Sequence, residues 1–572
     1  MKKHYETHVE DTDKLISVAG PVLDYKSWYE QYRKLMEEQA QRKYGLYTPT
    51  SEGDDDNFPS IPGITARYSA LGLTNEQMAE NPVWKDLTGN GHDLQMKNFA
   101  WKGMSGVGGY GDENYQTFYK FTLDDYVFIA TPPGVKHMNF TFRVTGLQPG
   151  NKLTLAFFGT TNTVYGTWDK DGIYTVNSAV VEVGKPVYFY NGYGATRGEF
   201  TIEILPLYPG FILGDGVDDF AVTEKELNFE DTYTVYTAFI PFQNNPIRNM
   251  ILCGADSKKT FSMQYSSLVY VSFIAGNNYY INANFVNGLN LFACKRNGNN
   301  ICIKNLLTNK VVTGTCGDWV ENAGLYYLWK NATYASFAKA AIAGQTICNG
   351  YFSTDEDDEK VLNWYKKQYP WLFPDQAWTV TGKTNEDEDR ATIANITGNG
   401  NDLVLSNFGF AEGSGYNEEG EYAGYLVTDG VDDEVRSAAF TLNEDWTIVG
   451  DWELLSNVQI NCGIVKAQNV YLYNTANGLL ISINNPRSLQ SFGTKSLHAI
   501  CSDGRLYDRN WVEYEYTVDQ NFEIVKSSLN IGFNLNNYAQ IAFKNLGIYD
   551  NQLLSKDDCI KAYNYLQTLK AK

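Results

Sequence analysis

Short runs in which apolar and polar residues alternate fill most of the chain. Asn139-Phe140-Thr141-Phe142-Arg143-Val144, Leu153-Thr154-Leu155-Ala156-Phe157 and Glu199-Phe200-Thr201-Ile202-Glu203-Ile204 are examples. A period of two predicts strands with one buried face. Leu147-Gln148-Pro149-Gly150, Asp171-Gly172, Asn287-Gly288, Asn297-Gly298 and Asn477-Gly478 supply turns between such runs. A helical period marks other stretches. Near the start, Tyr25, Trp28, Tyr29, Tyr32, Leu35 and Met36 recur at three- and four-residue spacing, which predicts a helix with an aromatic stripe. That stripe either packs on its own chain or serves oligomerisation and docking; docking is the favoured role. Thr354 followed by Asp357, and Ser555 followed by Asp558, read as capped starts of two further short helices.

The pattern repeats. Thr88-Gly89-Asn90-Gly91, Asp93-Leu94 and Asn98-Phe99 return as Thr397-Gly398-Asn399-Gly400, Asp402-Leu403 and Asn407-Phe408. Asp215-Gly216-Val217-Asp218-Asp219 completes the first copy and Asp429-Gly430-Val431-Asp432-Asp433 the second. Asn-Gly in each predicts a tight hairpin turn. The gap before the second motif is longer in the first copy by roughly 95 residues, the size of a small domain. The copies then stay in step, with Glu230-Asp231-Thr232-Tyr233-Thr234-Val235 answering Glu444-Asp445-Trp446-Thr447-Ile448-Val449. The expected organisation is an N-terminal helix and acidic linker over 1–63, a β-sandwich over 64–375 interrupted by a small immunoglobulin-like or carbohydrate-module-like sandwich over 111–210, and a second β-sandwich over 376–572. The expected fold class is mainly β.

Composition narrows the function classes. Aromatics are 15% of the 572 residues, with 41 Tyr beside 50 Gly, which suits many-stranded sheets and surfaces that stack on sugars or protein. A formal charge of −21 works against nucleic acid binding. No run of about 18 apolar residues exists, so no membrane insertion is expected. Met1-Lys2-Lys3-His4 lacks the apolar stretch of an export signal, so synthesis and assembly in a cytoplasm are expected. The eight cysteines form no C-x-x-C motif and read as buried reduced thiols.

Asp86-Leu87-Thr88-Gly89-Asn90-Gly91-His92-Asp93, followed by Leu213-Gly214-Asp215-Gly216-Val217-Asp218-Asp219-Phe220, resembles the concanavalin A-like lectin/glucanase superfamily, and within it the laminin-G-like jelly rolls. The resemblance covers both sandwiches without the insert and implies two jelly rolls. The Gly/Asn style and the run Thr201-Ile202-Glu203-Ile204-Leu205-Pro206-Leu207-Tyr208-Pro209-Gly210 into the acidic motif are similar to virion proteins of crAss-like phages of Bacteroidetes. That likeness implies a head or tail fibre or decoration protein in the virion, assembled in host cytoplasm. Its implied partners are other virion proteins through the N-terminal helix, further copies of itself, and host surface polysaccharide.

Candidate chemistry is sparse. Asp215 and Asp218, like Asp429 and Asp432, offer the oxygens calcium needs, and no other cofactor is implied. Turn and strand-end hydrogen bonding is the plainer reading, because alternate residues of a strand face opposite ways. Trp319, Tyr327 and Trp329 are candidates for stacking on a glycan or packing against a neighbouring subunit, with core packing as the plainer reading because they sit in strand-like runs. No Glu has Asp two residues on and Glu five residues on, the glucanase arrangement, and no nucleophile elbow, zinc motif or P-loop appears. No catalytic residue is expected. A carbohydrate-active enzyme and a connector without glycan binding remain the alternatives.

Overall fold

The computed structural model describes residues 57–571 apart from 111–117, 123–126, 130–136, 158–162, 181–186, 193–198, 243–248, 254–260, 268–269, 276–279, 285–287, 319–323, 331–336, 456–461, 468–469, 476–477, 484–489, 493–495, 517–526, 532 and 535–536. The expected helix at Tyr25, Trp28, Tyr29, Tyr32, Leu35 and Met36 lies outside them, as does Trp319.

The alternating runs form antiparallel sheets arranged as two jelly-roll sandwiches and a smaller sandwich. In the first jelly roll one eight-stranded sheet is centred on Thr232–Pro241 and Lys339–Asn349. Its mate runs from Tyr280–Asn284 through Tyr327–Leu328, Phe220–Thr223 and Leu94–Lys97 to Val83–Trp84. The second jelly roll repeats this with Trp446–Leu454 and Ile541–Asp550 at the centre of one sheet, and Leu403–Ser406, Glu434–Phe440 and Ser527–Ile531 in the other. Even an irregularity recurs. A bulge between Ala238 and Phe239 is matched by one between Asp451 and Trp452.

Strand pairing corrects one detail of the sequence alignment. Thr234 lies opposite Cys348, and Thr447 opposite Tyr549. Thr234 Oγ1 donates to Tyr351 O and accepts from Ser353 N; Thr447 Oγ1 donates to Gln552 O and accepts from Leu554 N. Thr234 therefore answers Thr447, not Ile448. One residue is lost between the motif and this strand, a slip that exchanges faces in a period-two element.

The small sandwich has two four-stranded sheets. One contains Phe118–Thr122, His137–Thr145, Gly172–Val180 and Glu199–Ile204; the other contains Val127–Ile129, Lys152–Phe157, Thr163–Trp168 and Val187–Gly192. It emerges between Gly106–Gly108 and Tyr208–Asp215, which pair with each other in the first jelly roll. Where a host strand pair is already closed, a long insertion costs it little.

Each sandwich has its own core, and a further apolar cluster joins them. Tyr236, Leu291 and Ala343 of the first jelly roll belong to it, with Val449, Ala499 and Tyr549 of the second and Leu205 beside the insert. Two helices fill the space between: Asp355–Gln368 contributes Val361 and Trp364, and Lys556–Thr568 contributes Cys559, Tyr563 and Tyr565. Both start as expected. Asp357 N donates to Thr354 Oγ1 at 3.2 Å, and Asp558 N to Ser555 Oγ at 3.1 Å.

The C-terminal helix is the keystone. Leu289 N of the first jelly roll donates to Tyr565 Oη at 2.9 Å. Gly288 permits this approach, since a Cβ there would lie 2.6 Å from that hydroxyl at φ +127°. Thr141 Oγ1 of the insert donates to Asn564 Oδ1 at 2.9 Å, and Trp511 Nε1 of the second jelly roll donates to Thr175 Oγ1 of the insert at 3.1 Å. Buried residues occur on all sides of the helix, as expected of one enclosed between domains.

This junction carries a titratable group. His498 is 1% exposed, its ring stacked on Tyr563 at 4.2 Å and tilted against Trp511 at 5.3 Å. Burial pushes its imidazole down to about 4, with Asp451 opposing and Arg509 adding to the shift. The unfolded chain therefore takes up the proton first as pH falls. The stability this neutral ring contributes is complete above pH 6.5 and is lost as pH falls toward 4. The expected loss across that window is about 3 kcal/mol. Thermal unfolding of His498→Phe should show a shallower acid limb than the parent.

Candidate functional site

The repeated phrase folds into the same hydrogen-bonded frame twice. Strands Val83–Trp84 and Leu94–Lys97 do pair, but the connection between them is not the tight turn expected from Asn-Gly. It is a nine-residue loop wound around one side chain. Asp86 Oδ1 accepts from Arg67 N, Thr88 N and Thr88 Oγ1, and its Oδ2 accepts from His92 N. In the second copy Asn395 Oδ1 accepts from Ala377 N, Thr397 N and Thr397 Oγ1. Asp93 Oδ1 receives Asp86 N at 2.9 Å, and Asp402 Oδ1 receives Asn395 N at 2.8 Å. Asn90 and Asn399 each donate through Nδ2 at 2.9 Å to the carbonyl of Thr65 or Asp375. These groups close the loop on the preceding strand.

Of the acidic triplets, Asp215 ends the strand Tyr208–Asp215, and the rest of the first, like the whole of the second, lies in the bend that follows a strand, so strand alternation does not keep the carboxylates apart. Their oxygens lie within 4.8 Å of one another in both copies. The same geometry engages them with backbone. Asp215 Oδ1 accepts from Val217 N at 2.7 Å and Asp218 N at 3.4 Å, while Asp219 Oδ2 accepts from Asp215 N at 3.0 Å. Asp429 Oδ1 accepts from Val431 N at 2.7 Å and Asp432 N at 3.3 Å, and Asp433 Oδ2 accepts from Asp429 N at 2.7 Å. Asn98 Nδ2 and Asn407 Nδ2 hold the Asp218 and Asp432 carbonyls at 3.0 and 2.9 Å. The side chains of Asp218 and Asp432 are exposed.

Burial raises Asp219 to about 7 and Asp433 to about 6. A carboxyl whose folded value is raised favours folding when protonated, so this contribution is present at low pH and is lost as pH rises through those values. Asp219→Asn keeps an acceptor for Asp215 N and removes the charge. On the hydrogen-bond account, its melting temperature at pH 8 equals or exceeds that of the parent, and millimolar calcium shifts neither protein. A calcium-dependent rise in the parent that the variant lacks would make the triplet a metal site.

The glycan candidates separate. Trp329 is wholly buried, its Nε1 donating to Ala340 O at 2.8 Å, its ring packed between Trp84 and Phe99. It is therefore core and has no face for a sugar. Strand alternation from Tyr327 would have turned it outward, but Trp329 lies beyond the strand at φ +59° and folds back over Gly214. Tyr327 is half-buried between buried Tyr326 and Leu328. Its strand neighbour Val222 shares its outward face, two residues from Phe220. Phe220 lies 6.4 Å from Phe337, and Lys330 Nζ stands over the two rings at 4.1 and 5.8 Å. The outer face of this sheet thus carries partly exposed aromatic and aliphatic surface beside a cation. The sequence pointed to Tyr327 but missed Phe220, Phe337 and Lys330, which the fold brings together from distant positions. In the second jelly roll the matching strands present Val404 beside Arg436, whose Nε donates to Asn530 Oδ1.

A cleft of about 120 Å³ lies between the jelly rolls, lined by Leu289, Lys366, Asp375, Asn399 and Tyr565 among others. Asp375 Oδ2 there accepts from Asp550 N at 2.7 Å, and burial raises its carboxyl. Among the described residues no helix is long and apolar enough to cross a membrane.

No family model matches the chain, and no curated protein does. Solved structures similar to it include botulinum neurotoxin receptor-binding domains and a sialidase. The receptor-binding domain of botulinum neurotoxin mosaic serotype C/D aligns at 10% identity over 60% of this chain and 89% of its own, with a TM-score of 0.27. A botulinum neurotoxin type C structure, described as dependent for cell entry on two ganglioside molecules, aligns at 9% identity over 58% and 82%, with a TM-score of 0.26. Trypanosoma rangeli sialidase in complex with sialic acid aligns at 9% identity over 42% and 53%, with a TM-score of 0.23. Superpositions this loose carry no argument about ligand or partner.

Proposed function

We propose that the chain is a structural, non-catalytic protein of a phage virion appendage, a head or tail fibre or decoration protein. In this reading its concanavalin A-like jelly rolls contact host surface glycan. The observation that carries the glycan part is the outward face of Tyr327, Val222, Phe220 and Phe337 beside Lys330. Flat apolar side chains next to a polar donor suit a sugar ring, which has both kinds of surface. The joined apolar core supports a structural role, since it couples all three sandwiches. The virion assignment rests on the sequence likeness to crAss-like phage proteins, and the docking role on the aromatic stripe from Tyr25 to Met36.

Glycan-array binding by the full chain tests the first part. Binding should fall at least tenfold in Tyr327→Ala and Phe220→Ala, with the melting temperature little changed for Tyr327→Ala. Absence of binding by the parent would leave the connector reading. One observation favours that reading: Val217 and Val431, at the same place in the two motifs, are 68% and 69% exposed and offer apolar tips for protein contact. Deleting residues 1–47 tests the anchor, since normal entry of the truncated chain into particles would remove the docking role.

A further inference from the structure

The two jelly rolls can be compared position by position, and one buried pair differs in kind. In the first, Lys295 lies opposite Thr234, and Asp358 is the fourth residue after the Thr354 cap. Lys295 Nζ meets Asp358 Oδ2 at 2.7 Å, with both side chains at most 4% exposed. This ion pair ties the helix Asp355–Gln368 to the sheet. In the second, Cys501 lies opposite Thr447, and Cys559 is the fourth residue after the Ser555 cap. The same two structural positions therefore carry two thiols.

Both are free and wholly buried. Cys501 Sγ is 4.0 Å from Thr447 Oγ1, and Cys559 Sγ is 4.0 Å from Leu554 O. Thr447 Oγ1 in turn receives Leu554 N at 3.0 Å, so one small network encloses both sulfurs. Thr447 and Leu554 thus place the two thiols on either side of one hydrogen-bonded link, at the strand and helix positions that the ion pair joins in the first copy. They are also unequal. The Cys559 thiol donating to Cys501, helped by the Arg505 guanidinium, pulls Cys501 below the ordinary thiol range, whereas burial pushes Cys559 up. Arg505 is fixed beside them by Asp503 Oδ2 at 2.6 Å and Leu554 O at 3.1 Å.

We propose that Cys501 and Cys559 are a modification site, a dithiol that becomes a disulfide in an oxidising environment and staples the C-terminal helix to the sheet. The oxidant is a small-molecule disulfide such as glutathione disulfide. Cys501 thiolate attacks one of its sulfurs and expels one thiolate, leaving a mixed disulfide on Cys501. Cys559 thiolate then attacks Cys501 Sγ and expels the second. The two protons given up by the cysteines end on the two released thiols, so the protein is oxidised by two electrons and the small disulfide is reduced by two. Access requires opening of the helix, so the reaction is slow, and the product is protected. The proposal is independent of the virion reading.

The test uses the full chain, incubated with glutathione disulfide or with dithiothreitol, then denatured in N-ethylmaleimide and mapped by mass spectrometry. The expected result is a linked peptide pair joining Cys501 to Cys559 and an intact mass lower by two hydrogens. Cross-linking a loop of roughly sixty residues should raise the melting temperature by about 5–10 °C over the reduced form. Cys559→Ser should lose both the link and the rise; the mapping of the parent stands by itself if that variant folds poorly. The proposal is overturned if both cysteines carry maleimide after prolonged oxidation, if either retains glutathione, or if the link forms without a change in melting temperature.

Discussion

Asp358→Ala destabilises the first jelly roll by about 3–5 kcal/mol, because it strands a buried cation. Asp358 Oδ2 accepts from Lys295 Nζ at 2.7 Å and from Lys304 Nζ at 3.0 Å, and its Oδ1 accepts from Tyr236 Oη at 2.9 Å and Ser353 Oγ at 3.1 Å. Lys304 keeps Asp355 at 2.7 Å, but Lys295 retains no carboxylate, with the Ser353 carbonyl at 3.0 Å and the Phe352 ring at 5.6 Å as its neighbours. Removing both charges together, in Lys295→Met with Asp358→Leu, costs far less because nothing charged is left unpaired. At the corresponding place in the second jelly roll, Cys559→Ala costs on the order of 1 kcal/mol, since only a small apolar volume is lost. Urea unfolding of the four proteins checks the order.

Trp511→Ala acts on the junction. The side chain is 1% exposed, ringed by His498, Tyr507 and Tyr563, and its Nε1 reaches Thr175 of the insert. Loss of such a residue costs about 3–5 kcal/mol. The larger consequence is positional: the insert keeps its own core around Phe142, Leu155 and Phe189 but loses a main hold on the second jelly roll. Hydrogen exchange in Trp511→Ala should rise around Asn564 and Trp511 while the insert's core stays protected. Thr175→Val removes only the hydrogen bond and costs about 1 kcal/mol. If the two variants behave alike, Trp511 is not a structural hold.

The sequence carried the sandwiches well because their signal is local. Thr88, Asn90, Asp93 and Asn98 make the same bonds as Thr397, Asn399, Asp402 and Asn407, so a repeated phrase meant a repeated frame. It misled where backbone sign or register mattered. Trp329, offered as a glycan candidate, is turned into the core by a positive φ, which a strand-like run does not reveal. Thr447 and not Ile448 answers Thr234 because a single residue was lost. The acidic triplets looked divergent along strands and converge in the bends at strand ends. The keystone was harder to read. Tyr563-Asn564-Tyr565 breaks the amphipathic pattern with burial on every side, and that surplus of large residues was the available sign. Its partners Thr141, Gly288 and Leu289 carry no local signature, since only the assembled chain brings them together.

The coupling of the three sandwiches into one body is the basis for reading the chain as a structural element, and it can be measured directly. Val164 in the insert and Val404 in the second jelly roll are 55% and 52% exposed, so each accepts a spin label, introduced as a noncanonical residue that spares the native cysteines. Pulsed electron–electron distance measurement between them should give one narrow distribution in the parent and a broad one in Trp511→Ala. A broad distribution in the parent would contradict the account, because the insert would then move independently of the jelly roll it is held to.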